Sequence, residues 1–162
     1  MKSERDFRNY LAGAALAFGI ILLTSQILQL IFGGVSVAVG DELYGLIMNI
    51  YLSAHLVGGF SGGYLVARVK GSDFIQVGTV TAILAYIFEF IYNIVFEAAM
   101  TDIYAAVSLL IGGIIGAMFF RARTERRRIM SAKKPEEPAA AARAQRFVPS
   151  GTFVVLFNAY MS

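Results

Sequence analysis

The sequence predicts an all-α fold: a polytopic transmembrane four-helix bundle with a flexible C-terminal tail. Three observations carry this reading. The 162 residues are 57% hydrophobic and 15% charged, with a mean hydropathy of +0.66, a balance too apolar and too charge-poor for an ordinary soluble domain. Four apolar runs approach the ~20 residues that a helix needs to cross about 30 Å of hydrocarbon. With four crossings, all 14 lysines and arginines fall on one side, which by the positive-inside rule makes the chain a multi-pass cell-membrane protein with both termini cytoplasmic. Three or five crossings would lose that agreement.

The helices are expected near residues 10–32, 44–67, 74–96 and 103–120. The first follows Lys2, Arg5 and Arg8. Its apolar run exceeds the ~7–15 residues of a signal-peptide core, so the small residues Ser36-Val37-Ala38 are not read as a cleavage site. Asp41 and Glu42 precede the second helix, and Arg68 and Lys70 follow it. A short acidic connection with Glu97 and Asp102 separates the third from the fourth. The fourth runs on into RARTERRR, expected to continue it past the membrane surface. Residues 1–130 therefore form the membrane domain. Residues 131–162 are a cytoplasmic linker with Pro135 and Pro138, followed by a short apolar tail whose residues 152–157 read as a strand, an interfacial segment or a docking peptide.

Small residues organise the helices. Gly58 with Gly62 and Gly59 with Gly63 are overlapping small-xxx-small steps, which let two backbones approach closely in lipid. A similar step, Gly112-Gly113-x-x-Gly116-Ala117, recurs in the fourth helix. The offset of the two motifs suggests either convergent glycine packing, the favoured reading, or a parallel repeat about the membrane normal.

Polar residues at membrane depth are costly and mark candidate sites. On the third helix Gly78, Ala82, Ala85, Glu89 and Asn93 recur at spacings of three and four and so share one face. His55 lies near the middle of the second helix, and Glu89 about 6 Å outward of the middle of the third at ~1.5 Å per residue, so the two are expected to meet. Gln26 and Gln29 are placed on a stripe with Ala12, Ala15 and Gly19, and with Asn49 and Ser108 they complete a polar layer in the outer half. Two roles are open to this layer. Glu89 and His55 either exchange a proton or hold a cation in an outward-facing cavity, or Glu89 bonds to His55, Gln26 or Asn93 and only locks the helices together.

Other chemistries lack their residues. The chain has no cysteine and a single histidine, which leaves no thiolate or multi-histidine metal set, and no cofactor motif is present. Gly58-Gly59-x-x-Gly62 mimics a dinucleotide fingerprint but lies inside an apolar helix. Ser53 and Ser61 stand off the i+3/i+4 face of His55, so no nucleophile–base pair is formed and no enzyme is expected. Arg121, Arg123, Arg126, Arg127 and Arg128 are read as a topology anchor or a contact for anionic lipid. Without interleaved aromatic residues they offer no nucleic-acid surface.

The segments GGFSGGYLVARVKG and GGIIGAMFFRAR, closing the second and fourth helices, resemble small glycine-rich four-helix membrane proteins of bacteria and archaea to which no activity is assigned. The resemblance covers residues 8–123 and implies a membrane bundle with cytoplasmic ends. The leading functional expectation is a non-enzymatic assembly or accessory subunit, packing with itself or with larger membrane subunits through its glycine faces. The alternative is a small oligomeric transporter or channel with a Glu89/His55 site.

Overall fold

The computed structural model describes residues 2–33, 40–96 and 103–132. Ser36–Ala38, Glu97, Asp102, the linker from residue 133 and the apolar tail lie outside the described residues. Four helices are present: α1 (Lys2–Phe32), α2 (Glu42–Lys70), α3 (Phe74–Val95) and α4 (Ile103–Ala132). All four are long and apolar enough to cross a membrane. The chain divides into two units, residues 1–125 and 126–162. The first unit holds α1, α2, α3 and α4 as far as Glu125, and the second is described only through Ala132, where it is helical and exposed.

The helices cover the four expected runs, with extensions at the start of α1 and at the ends of α2 and α4, α2 running on through Arg68 and Lys70. α1 begins at Lys2, ahead of the apolar run, and α4 continues through the arginines as expected. Charged residues at these ends carry good helix propensity, and leaving the apolar zone does not oblige a helix to stop. α2 ends at Gly71, whose left-handed backbone (φ 69°) lets its N–H donate to the Ala67 carbonyl at 2.9 Å. The following turn uses Asp73, the one non-glycine residue with positive φ (50°) among the described residues. That conformation crowds Cβ, and the Asp73 side chain makes no capping bond to α3. Asp73→Gly is expected to raise stability by about 1 kcal/mol; a thermal midpoint in detergent that fails to rise would contradict this.

Glycine and alanine set the packing. Gly58 and Gly62 face α1, where a methyl group on Gly58 would sit 2.8 Å from the Ala17 carbonyl oxygen and one on Gly62 would sit 2.5 Å from that of Gly13. Gly59 and Gly63 face the other way: added methyl groups there would strike the Leu109 and Gly113 carbonyls of α4. In return, Gly112 and Gly116 press against the Leu56 and Phe60 carbonyls of α2. The two interleaved steps of α2 thus serve two different neighbours. Contacts with α1 run Gly58 to Ala17 and Gly62 to Gly13, so this pair is antiparallel; contacts with α4 rise together and this pair is parallel. α3 closes the bundle through Gly78, where a methyl group would lie 2.5 Å from the Gly113 carbonyl oxygen.

Two small cores fill the remaining space. Ala14, Ala17, Ile21, Ala82, Ala85 and Leu109 form one; Tyr10, Val66, Ala67, Val77 and Ala117 form the other. Large apolar side chains such as Leu23, Leu30, Ile83, Ile94 and Ile115 point outward instead, as suits a helix surrounded by lipid rather than water.

The inward stripe of α1 corrects the sequence expectation. Tyr10, Gly13, Ala14, Ala17 and Ile21 are buried, whereas Ala12, Ala15 and Gly19 are exposed. Gly19 has open space where a side chain would be. Both sets repeat at helical spacing, and Gly13 is chosen because Val66, Gly62 and Thr81 close directly over it.

Candidate functional site

The buried face of α3 runs through Gly78, Ala82, Ala85 and Glu89, as their spacing predicts. α2 presents Tyr51 and His55 to the same place, four residues apart and hence on one face. His55 is 0% and Glu89 3% exposed. His55 Nε2 lies 3.0 Å from Glu89 Oε1 and 3.1 Å from Oε2. The Tyr51 hydroxyl donates to Oε1 at 2.6 Å, and the Tyr51 ring stands edge-on to the imidazole with centroids 4.3 Å apart.

The other ring nitrogen fixes the protonation pattern. His55 Nδ1 lies 2.8 Å from the Tyr51 main-chain carbonyl oxygen, and a carbonyl can only accept, so Nδ1 carries a hydrogen. Nε2 then either donates to a Glu89 carboxylate or accepts from a Glu89 carboxylic acid. In both arrangements one proton is shared between Nε2 and the carboxyl group, and the pair is neutral. A second proton would leave a buried positive charge, and loss of the shared one a buried negative charge, each costly in low dielectric. No buried side-chain nitrogen or oxygen among the described residues lacks a hydrogen-bond partner.

Glu89 also opens onto a cavity of about 620 Å³. α1 lines it with Phe18, Ile21, Leu22, Ser25, Gln26, Leu28 and Gln29; α2 with Tyr44, Ile47, Met48 and Tyr51; and α3 with Glu89, Tyr92 and Asn93. It occupies the half of the bundle toward the end of α1 and the start of α2. From Tyr44 to Tyr51 it is about 10 Å deep at ~1.5 Å per residue. His55 is behind it, reached through the carboxylate.

Of the sequence candidates, His55, Glu89, Asn93, Gln26 and Gln29 thus fall around one site. Gln26 does not bond Glu89; its Nε2 donates to the Tyr92 hydroxyl at 3.4 Å. Asn49 is exposed and is not among the cavity residues. Tyr51, Tyr92 and Tyr44 were not singled out by sequence, although the four-residue step from Tyr51 to His55 is a usable signal. Gly58, Gly59, Gly62, Gly63, Gly112 and Gly116 pack the bundle internally rather than lining the cavity. Arg121 and Arg123 lie apart from it: Arg121 donates to Glu125 at 2.8 Å and Arg123 reaches the Tyr64 hydroxyl at 3.4 Å. Arg126, Arg127 and Arg128 are exposed. No group of three histidine or acidic side chains suited to a metal ion occurs among the described residues.

Fold and site together define a class: an all-α bundle of four potential membrane-crossing helices with a buried His–Glu pair beneath a cavity. Compared with known proteins, the chain matches no protein-family model, no curated sequence and no solved structure.

Proposed function

We propose that this chain is a multi-pass membrane carrier, with both termini cytoplasmic, that couples movement of a small solute to the proton shared by His55 and Glu89. One observation carries the reading: Glu89 is at once a member of the buried pair and part of the cavity wall. A solute entering the cavity reaches directly the carboxyl that shares the proton with His55 Nε2. The charge distribution supports the orientation, since the cavity lies toward the end of the bundle that carries Asp41 and Glu42, away from Arg68, Lys70, Arg121 and Arg123.

The accessory-subunit reading loses its expected interface, because the α2 and α4 glycines are occupied within one chain. A partner helix would need another close-approach surface, and the exposed Ala12, Ala15 and Gly19 of α1 offer one set of small residues at helical spacing.

The test is proton movement in proteoliposomes carrying an internal pH dye. The intact chain is expected to dissipate an imposed pH gradient faster than empty vesicles once a transported solute is supplied from a mixed pool of small amines, amides and acids. Glu89→Gln, which keeps size and hydrogen bonding but cannot lose a proton, is expected to abolish the increment. An increment equal in the variant and the intact chain would remove Glu89 from the coupling.

A further inference from the structure

Resting on the carrier reading, we infer that the cavity takes a monovalent organic cation with an apolar body and admits it in exchange for the shared proton, one for one. Three features carry the inference. Among the described residues lining the cavity, Glu89 is the only acid and none is lysine or arginine, so an anion or the carboxylate of a zwitterion meets no counter-charge from them. The walls are largely aromatic and aliphatic: Phe18, Tyr44, Tyr51 and Tyr92 stand with Ile21, Leu22, Ile47 and Met48. Aromatic faces attract cations most strongly where water is excluded, and about 620 Å³ falls within the ~300–1,000 Å³ of ordinary small-molecule sites. A bare metal ion would require several oxygen ligands at about 2.0–2.6 Å, whereas the Glu89 Oε1 oxygen already accepts from Tyr51 and both carboxylate oxygens contact His55.

The stoichiometry follows from the tautomer. With Nδ1–H held by the Tyr51 carbonyl, removing the shared proton leaves a neutral imidazole, its Nε2 lone pair free, beside a Glu89 carboxylate. That state carries a single negative charge in a buried site, and one monovalent cation restores neutrality. No covalent bond changes except that the shared hydrogen leaves Glu89 or Nε2 for water. Among the described residues, the other titratable groups lining the cavity with the carboxylate are the phenols Tyr51 and Tyr44 from α2 and Tyr92 from α3; α1 contributes amides, a hydroxyl and apolar groups, and α4 contributes none of them. The only carboxyl–imidazole couple at the cavity therefore sets the count of exchanged protons.

The experiment is calorimetric titration of the detergent-purified full chain with benzyltrimethylammonium, repeated in buffers of different ionisation enthalpy so that protons released per cation are read from the slope. Expected are saturable binding with about one proton released per cation, no binding of benzoate, and affinity more than about tenfold weaker in Glu89→Gln. Glu89→Asp, which keeps the charge, is expected to retain proton release and so controls for a folding defect in the amide. Binding without proton release, equal binding of benzoate, or absence of binding would each overturn the proposal. Solute-dependent, Glu89-dependent proton flux in vesicles without benzyltrimethylammonium binding would overturn the substrate class while leaving the carrier reading standing. Loss of the Glu89-dependent flux itself would sink both.

Discussion

Gly63→Ala is expected to lower the stability of the bundle by about 1–3 kcal/mol, the usual cost of overfilling a tight core. The single added methyl group meets the Gly113 carbonyl and Cα rather than the end of a side chain, so relief requires α2 and α4 to move apart as rigid helices. Gly59→Ala, facing the Leu109 carbonyl, is expected to behave alike. Gly19→Ala and Gly45→Ala make the matching controls, because both positions are helical and both have open space at the Cβ. There the loss of glycine's backbone freedom is expected to add about 0.5–1 kcal/mol. Denaturant titration or thermal midpoints in detergent would read the contrast. Equal effects at Gly63 and Gly19 would mean that the α2–α4 seam is looser than the structure has it.

The second large effect is expected at the buried pair. His55→Leu removes the imidazole from Glu89 while nearly preserving volume, and the carboxyl, left with the Tyr51 hydroxyl but without its imidazole partner, is expected to cost about 1–3 kcal/mol. Adding Glu89→Leu should recover part of that loss, because replacing both members of a buried ionisable pair with apolar groups is far less costly than removing one. The coupling from the double-mutant cycle is expected to exceed the ~0.6 kcal/mol average of hydrogen bonds inside membrane proteins. Additive effects of the two substitutions would show that no proton is shared.

Much of this architecture is legible in the chain, and the exceptions have physical causes. Apolar length defines four helices because each run reaches the span that crossing hydrocarbon requires. The meeting of His55 with Glu89 follows from axial rise alone, since both sit at comparable depth on facing helices. Tyr51 escapes such reading because tyrosine is also the residue expected at membrane surfaces, here the more so in a chain without tryptophan. Its place in the cluster depends on which face α2 turns toward α3. The buried stripe on α1 escapes such reading for a related reason: Ala12, Ala15 and Gly19 repeat as regularly as Gly13 and Ala17. Small residues permit close approach, but only the partner surface, here Gly62 and Val66, decides which of them is approached. Likewise, the spacing of Gly58, Gly59, Gly62 and Gly63 foretells two tight seams without saying that both are made within one chain.

Those seams bear on how an occluded proton would ever leave by the opposite side. Beneath Glu89 and His55 the bundle contains glycine backbone, Val66, Val77, Ala67 and Ala117. The buried Thr81 hydroxyl is committed to the Val77 carbonyl at 2.7 Å. On the carrier reading, glycine, valine and alanine give this floor no side chain that could relay a proton, and the Tyr10 hydroxyl of the same cluster is bonded to Lys70 at 2.7 Å. Passage instead calls for the floor itself to part. Surfaces almost devoid of side chains would suit that: helices meeting largely through backbone can slide or tilt with few interdigitated knobs to unlock, so the glycines that hold α2 closely against α4 would also leave little to disentangle were the two to part.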